Sequence, residues 1–223
     1  MARQFDLNRE AHGFATGLSE TLNSTVCHGI RLNSVVTHGT NPRATVGYKL
    51  DRYNLDAQVG VPLSIGGEPS LFLGIQMRLE CDDEQKYLMV TSSVLVLSVD
   101  ADLEQTLLHY DYEREKSHGY PEAHVQINAT SPDWELSCTR SDGNVRALRK
   151  LHLPVGGRRF RPTLEDFIEF LILEKLTLGR EGWERSIKIT RDEFHHRQLK
   201  AAIRRNPALA RQCLIDEGLL DDR

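Results

Sequence analysis

HYDYEREKSHGYPEAHVQINAT, residues 109–130, is the stretch that decides the fold. Polar and apolar residues alternate over 108–113 and again over 123–128, and a loop separates the two runs. A period of two is typical of half-buried β-strands, because successive side chains point to opposite faces of a sheet. The two runs therefore predict a β-hairpin with one apolar and one polar face.

The same alternation continues on both sides of this hairpin, with turn residues between the runs. The further runs are 46–50, 53–61, 71–79 and 150–153. Residues 86–99 are almost continuously apolar or β-branched, which is typical of a central strand buried on both faces. We predict an antiparallel sheet of five to seven strands within residues 45–161, with 86–99 in its middle.

Helical patterns flank the sheet on both sides. Residues 8–22 carry apolar side chains at a spacing of four and predict an N-terminal helix, with a short strand at 30–36 to follow. Beyond the sheet, the spacing of apolar residues, helix caps and breakers predicts two or three C-terminal helices. The first runs from Leu164 to Leu178, capped at Thr163 and stopped by Gly179; the others run from Thr190 to Arg205 and from Asn206-Pro207 to about Glu217.

These elements predict a single α+β domain over residues 1–223. It consists of an N-terminal helix and loop (1–44), the antiparallel sheet (45–161) and C-terminal helices (162–223) packed on one face of that sheet. A length of 223 residues is ordinary for a single β-rich domain.

Composition indicates a soluble protein, with 39% hydrophobic and 27% charged residues. No apolar run approaches the roughly 18 residues of a membrane span, and the first residues lack a signal-peptide core, so we expect a cytoplasmic protein without membrane contact. The four cysteines, Cys27, Cys81, Cys138 and Cys213, form no CxxC pair. This spacing argues against a disulfide framework and against a cysteine-rich zinc site.

The net charge of −4 conceals an asymmetry along the chain. Residues 140–205 contain 16 Lys and Arg against 9 Asp and Glu, whereas the remainder contains 12 against 23. A basic C-terminal surface could face nucleic acid, a nucleotide or an acidic protein. The two halves could equally well complement each other within the fold.

The polar face of the hairpin holds the residues best suited to chemistry. His109 and Asp111 point to one side of the first strand, and His124 points to the same side if the two apolar sets share the core. His152 joins them if its strand pairs nearby. A histidine oriented by a carboxylate can act as a general base while a second histidine donates a proton.

Two alternatives use the same four residues. They could form an ordinary solvated sheet face, or they could offer nitrogen and oxygen ligands to zinc or manganese. No metal signature such as HExxH is present, and our prediction is a site without metal.

A second cluster precedes the predicted helix start at Thr163. It reads GGRRFRP and contains Arg158, Arg159 and Arg161. Arginine side chains and a helix N-terminus both suit phosphate or carboxylate, so this junction could bind an anion. The arginines could instead pair with acidic residues of the fold. The GxxxxGK[ST] spacing of a P-loop is absent, and no cofactor is predicted.

The run from Tyr110-Asp-Tyr through Pro121-Glu-Ala-His124-Val-Gln, followed by His152-Leu-Pro, resembles a pattern in small uncharacterised bacterial proteins near the TumE-like toxin family. The similarity covers residues 109–170, and Gln126 stands where that family has the second histidine of an HxH pair. The resemblance implies an antiparallel α+β fold, a toxin–antitoxin or defence role, and a protein partner encoded nearby.

We therefore predict a toxin-like or defence-associated protein that acts on RNA or a nucleotide. In this hypothesis His124 and His109 are the general acid and base, Asp111 orients them, and Arg158 and Arg159 hold phosphate. The alternative is a non-enzymatic subunit that binds an acidic protein or nucleic acid through a basic C-terminal surface.

Overall fold

The computed structural model describes residues 5–115, 121–133, 147–156 and 161–221. Within them lie an N-terminal helix, an antiparallel sheet of eight strands and three C-terminal helices. The predicted α+β class with an antiparallel sheet is therefore confirmed. Arg158 and Arg159 fall outside the described residues.

The elements are numbered in chain order. The strands are β1 (Leu32–Thr37), β2 (Arg43–Tyr48), β3 (Val61–Pro62), β4 (Phe72–Cys81), β5 (Leu88–Ser98), β6 (Thr106–Glu113), β7 (Ala123–Ile127) and β8 (Leu153–Pro154). The helices are α1 (Leu7–Thr25), α2 (Leu164–Leu173), α3 (Trp183–Arg205) and α4 (Pro207–Asp216). One turn of 3-10 helix, Leu148–Lys150, precedes β8.

The sheet is an antiparallel meander in the order β1-β2-β4-β5-β6-β7-β8, and β3 pairs with β4 off this path. Seven of the eight strands, β2 to β8, lie in the predicted sheet region. The eighth is β1, which was predicted as a short strand at 30–36 and joins the sheet by pairing with β2. Strand β5 lies in the middle, as predicted. Most of its residues are only half-buried, because the helices cover one face of the sheet and not both.

The hydrophobic core lies between one face of the sheet and helices α1, α2 and α3. Leu22 of α1, Ile75 and Leu97 of the sheet, and Phe167 and Ile168 of α2 are all at most 1% exposed. Burial of such side chains removes them from water and stabilises the fold by about 1.5–3 kcal/mol each. The packed face of the sheet is called the helix face below, and the opposite one the outer face.

The core determines which side chains of β6 point outward. The ring of Tyr110 meets that of Phe167 edge to face, with 5.5 Å between centroids and an interplanar angle of 87°. Because neighbouring residues on a strand point to opposite faces, this contact turns His109 and Asp111 to the outer face.

The start of α2 is confirmed and its end is not. The Thr163 hydroxyl accepts a hydrogen bond from the amide of Asp166 at 3.3 Å, and the Asp166 carboxylate accepts one from the amide of Thr163 at 2.8 Å. This reciprocal pair is the predicted capping box. The helix ends at Leu173 rather than at the predicted Leu178.

Two other local predictions are wrong. Thr190 lies inside α3, where its hydroxyl donates to the carbonyl of Ser186 at 3.3 Å, so its sequence resemblance to a helix cap was misleading. Residues 53–61 form no strand before Val61. The carboxylate of Asp51 accepts hydrogen bonds from the amides of Tyr53 and Asn54, which makes a turn in place of a strand.

None of the helices in the described part of the chain has an 18-residue stretch apolar enough to cross a membrane.

Candidate functional site

The register between β6 and β7 brings four polar side chains together on the outer face. His109 lies opposite Gln126, and Asp111 lies opposite His124. Directly opposed residues share a face of the sheet and their side chains are close enough to interact. The predicted polar face of the hairpin therefore exists as a compact group of side chains.

One carboxylate oxygen lies between two imidazoles. Oδ2 of Asp111 is 3.4 Å from Nε2 of His109 and 3.4 Å from Nε2 of His124. Nε2 of His109 also donates a hydrogen bond to Oε1 of Gln126, at 2.6 Å. Since the acceptors lie on the Nε2 side of the His109 ring, the proton of the neutral imidazole belongs on Nε2, and Nδ1 carries the lone pair.

His152 joins the group through β8. Pro154 pairs with His124, and His152 lies two residues before Pro154, so both point to the same face. The rings of His124 and His152 meet with 4.6 Å between centroids and an interplanar angle of 64°. The structure thus brings together the four residues that the sequence named for acid–base chemistry: His109, Asp111, His124 and His152.

The four side chains differ in how far they reach solvent. His124 is 2% exposed, whereas the side chains of His109 and Asp111 are 30% and 28% exposed. A ligand can therefore contact His109 and Asp111 directly, while His124 lies behind the carboxylate. The two histidines therefore differ in their access to solvent, although the sequence treated them as equivalent.

Arg161 is not part of this group. Its guanidinium stacks on the ring of Tyr112, 4.2 Å from the centroid, and lies 5.7 Å from the ring centroid of Phe194 on α3. Tyr112 points to the helix face, so Arg161 is on the opposite side of the sheet from the histidines. Burial there lowers the pKa of Arg161 from its ordinary value. The predicted role of Arg161 in binding an anion at the junction before α2 stays a prediction, separate from the histidine group.

Gln126 is the member of the group to which the sequence assigned no function. Its amide oxygen holds His109 through the 2.6 Å hydrogen bond. The signal that could have identified it is its position two residues after His124. In an antiparallel pair, a residue two places further along one strand lies opposite the residue two places earlier on the other strand.

Metal binding has no support in the described residues, among which no three His, Cys, Asp or Glu side chains are grouped so that they could hold an ion. Comparisons with known protein families, with curated proteins and with solved structures find no match for this chain. The geometry of the outer face is therefore the basis for assigning a function.

Proposed function

We propose that the outer face of β6 and β7 is an acid–base site, and that the protein is a toxin-like or defence-associated enzyme that cleaves RNA or acts on a nucleotide. One observation carries the proposal. A single carboxylate oxygen, Oδ2 of Asp111, lies 3.4 Å from Nε2 of a buried histidine and 3.4 Å from Nε2 of a partly exposed one. A carboxylate in this position can orient an imidazole and stabilise its protonated form.

His109 is the residue that would contact substrate. Its Nε2 atom is held by Gln126 and Asp111, so Nδ1 can accept the proton of a ribose 2′-hydroxyl. The 2′-oxygen then attacks the adjacent phosphorus, and the bond to the 5′-oxygen breaks. The imidazolium returns its proton to that departing oxygen. The products are a 2′,3′-cyclic phosphate and a 5′-hydroxyl, and His109 is restored.

His124 acts through Asp111 and is a positioning residue. With an exposure of 2%, it is too buried to contact an RNA chain. Its Nε2 atom fixes one side of the carboxylate oxygen whose other side faces His109. A residue of this kind holds the reacting group in its productive geometry, and such support contributes to catalysis through orientation.

The RNA-directed, toxin-like part of the proposal is supported by the resemblance of these strands to proteins near the TumE-like toxin family. The chain departs from that pattern at Gln126, where the family has a second histidine. Gln126 occupies that position as a hydrogen-bond acceptor for His109. It preserves an interaction with the imidazole but cannot exchange protons itself.

The test is cleavage of end-labelled RNA by the purified protein in the presence of EDTA. We expect His109→Gln and Asp111→Asn to lower the rate by roughly 100- to 10,000-fold, the usual contribution of general acid–base catalysis. His124→Gln should lower kcat and leave KM nearly unchanged, because His124 is not positioned to contact substrate. The control is His196→Gln, which changes an exposed histidine on α3 and should have no effect.

Product analysis and thermal melts complete the test. The mechanism requires 2′,3′-cyclic phosphate ends, and the His109 variant must retain the wild-type melting temperature. Full cleavage by a folded His109→Gln protein would remove the proposed mechanism. Absence of cleavage by the wild type would contradict the enzymatic proposal and favour the predicted non-enzymatic subunit.

A further inference from the structure

Helix α4 buries none of its ten residues. Its leucines face solvent, with Leu209 71% and Leu214 44% exposed, and Leu219 and Leu220 just beyond it are 75% and 43% exposed. An isolated helix shorter than about 12–15 residues is marginal in water, because helix nucleation is costly and packing supplies most of the stability. A helix of this length and composition needs a further surface against which to pack.

Helix α3 presents a second apolar surface next to it. Ile189, Leu199 and Ile203 are 52%, 59% and 47% exposed. At about 100° per residue these three side chains fall within an arc of roughly 80°, on the side of the helix away from the buried Ile187. Exposed Asp192 and His196 fall within the same arc, so this side of α3 combines three exposed apolar side chains with two polar ones.

The charges around these apolar residues separate into two blocks. Residues 194–205, at the end of α3, contain four Lys and Arg and no Asp or Glu. Residues 212–221, at the end of α4 and beyond, contain three Asp and Glu and no Lys or Arg. The surface formed by α3 from Ile189 onward, α4 and residues up to 221 is called the C-terminal arm. It carries a positive block, a negative block and exposed leucines.

We propose that the C-terminal arm is a homodimer interface and that its occupant is the same arm of a second copy of this chain. A two-fold interface uses one patch twice, so the patch must be complementary to itself. In an antiparallel arrangement, the positive block of each copy faces the negative block of the other. Ile189, Leu199 and Ile203 of α3 and the leucines of α4 are then covered in both copies.

The charge pattern favours a second copy over an acidic protein or nucleic acid. Either of those partners would match residues 194–205 and would be repelled by the acidic residues 212–221. Like charges facing each other across an interface are a strong penalty against the wrong partner. A second copy is the partner that satisfies both blocks at once.

The experiment measures the mass of the full-length chain in solution by light scattering after size exclusion, with charge reversals in each block. The first variant is Lys200→Glu with Arg205→Glu, and the second is Asp216→Lys with Glu217→Lys. The control is Arg149→Glu with Lys150→Glu, which makes the same charge change as the first variant on the exposed 3-10 turn.

The wild type and the control should have twice the chain mass of 25.4 kDa, and each reversal variant alone should have the mass of one chain. Mixing the two variants should restore the doubled mass, because the intact acidic block of the first variant then faces the intact basic block of the second. This rescue also proves that both variants are folded.

Several results would overturn the proposal. A monomeric wild type would do so, as would a doubled mass that survives both reversals. A wild type that is monomeric alone and forms a complex with single-stranded RNA or an acidic protein, lost in Lys200→Glu with Arg205→Glu, would assign the arm to that partner instead. A mixture that stays monomeric would contradict the antiparallel pairing of the blocks.

Discussion

Replacement of Phe167 by alanine should destabilise the protein severely and disturb the outer face of the sheet. Phe167 is 1% exposed, and its ring packs against that of Tyr110 with 5.5 Å between centroids. Returning such a side chain to water costs about 1.5–3 kcal/mol, and the edge-to-face pair adds about 0.5–1.5 kcal/mol. The cavity left behind brings the expected loss in the free energy of unfolding to about 3–5 kcal/mol.

The loss is measurable as a thermal shift. For a domain of this size each kcal/mol lowers Tm by about 2–4 °C, so Phe167→Ala should lower it by about 6–20 °C. Phe167→Leu keeps most of the apolar contact and loses the aromatic pair, and we expect a cost of about 1 kcal/mol. Leu173→Ala is the matched control on the same helix, since Leu173 is 64% exposed and should cost at most about 0.5 kcal/mol.

The prediction links the core to the site, because Tyr110 lies on β6 between His109 and Asp111. Loss of its packing partner should loosen the strand that presents both side chains. We therefore expect RNA cleavage by Phe167→Leu to fall although the variant remains folded. A Phe167→Ala protein that melts within 2 °C of the wild type has lost roughly 1 kcal/mol or less of unfolding free energy. That result would refute the argument that packing against α2 determines which side chains of β6 point to the helix face.

Three smaller predictions concern other parts of the fold. Burial raises the pKa of the Cys27 thiol to about 12, so at pH 8 only roughly one molecule in ten thousand carries the reactive thiolate. A thiol reagent should therefore label the exposed Cys213 and leave Cys27 unlabelled until the protein unfolds, as measured by peptide mass spectrometry. Gly47→Ala should lower the free energy of unfolding in urea by about 1–3 kcal/mol, because the new Cβ would lie 2.5 Å from a backbone carbonyl oxygen. Gly13→Ala in α1 meets nothing within 4 Å and should raise that free energy by about 0.5–1 kcal/mol. The opposite order of stability would contradict the packing described. A serine hydroxyl and backbone amides hold the pKa of Asp100 below its unfolded value of about 3.9. The contribution of the carboxylate to stability is therefore present above that pH and is lost as the pH falls through the folded pKa. Asp100→Asn should destabilise the protein at pH 7 and much less at pH 2.5, and an equal loss at both pH values would count against these hydrogen bonds.

The parts of the fold that could be predicted are those in which a local sequence pattern is compatible with a single secondary structure. Strands β4, β6 and β7 and the start of α2 follow from alternation and capping, because their apolar residues have only one face on which to be buried. The error at residues 53–61 arose where an alternating run met a competing interaction, the turn made by the carboxylate of Asp51. The error at Thr190 arose because a threonine and a glutamate at cap spacing fit the interior of a helix equally well.

The sequence predicted which residues belong to the candidate site, but not how deeply each of them is buried. Strand parity is sufficient to place His109, Asp111 and His124 on one face, and the structure has them there. Parity carries no information on how far each residue is buried, because burial depends on contacts from other segments, such as the ring of His152 just before β8. The surroundings of Arg161 were equally hidden from the sequence, because its aromatic neighbours are Tyr112 on β6 and Phe194 on α3.

The contrast in exposure between the two histidines argues against a merely solvated sheet face. On such a face His124 would project into water, where an imidazole needs no protein partner. Instead it is 2% exposed, and burial of a polar ring is costly unless its nitrogens interact with other groups. Asp111 supplies such a group while 28% of its own side chain, and 30% of that of His109, remain accessible. A carboxylate that only stabilised the core would be expected to share the burial of its partner. One that connects a buried imidazole to an accessible imidazole can hold the accessible ring in a fixed orientation toward a ligand, and that is the property an acid–base site requires.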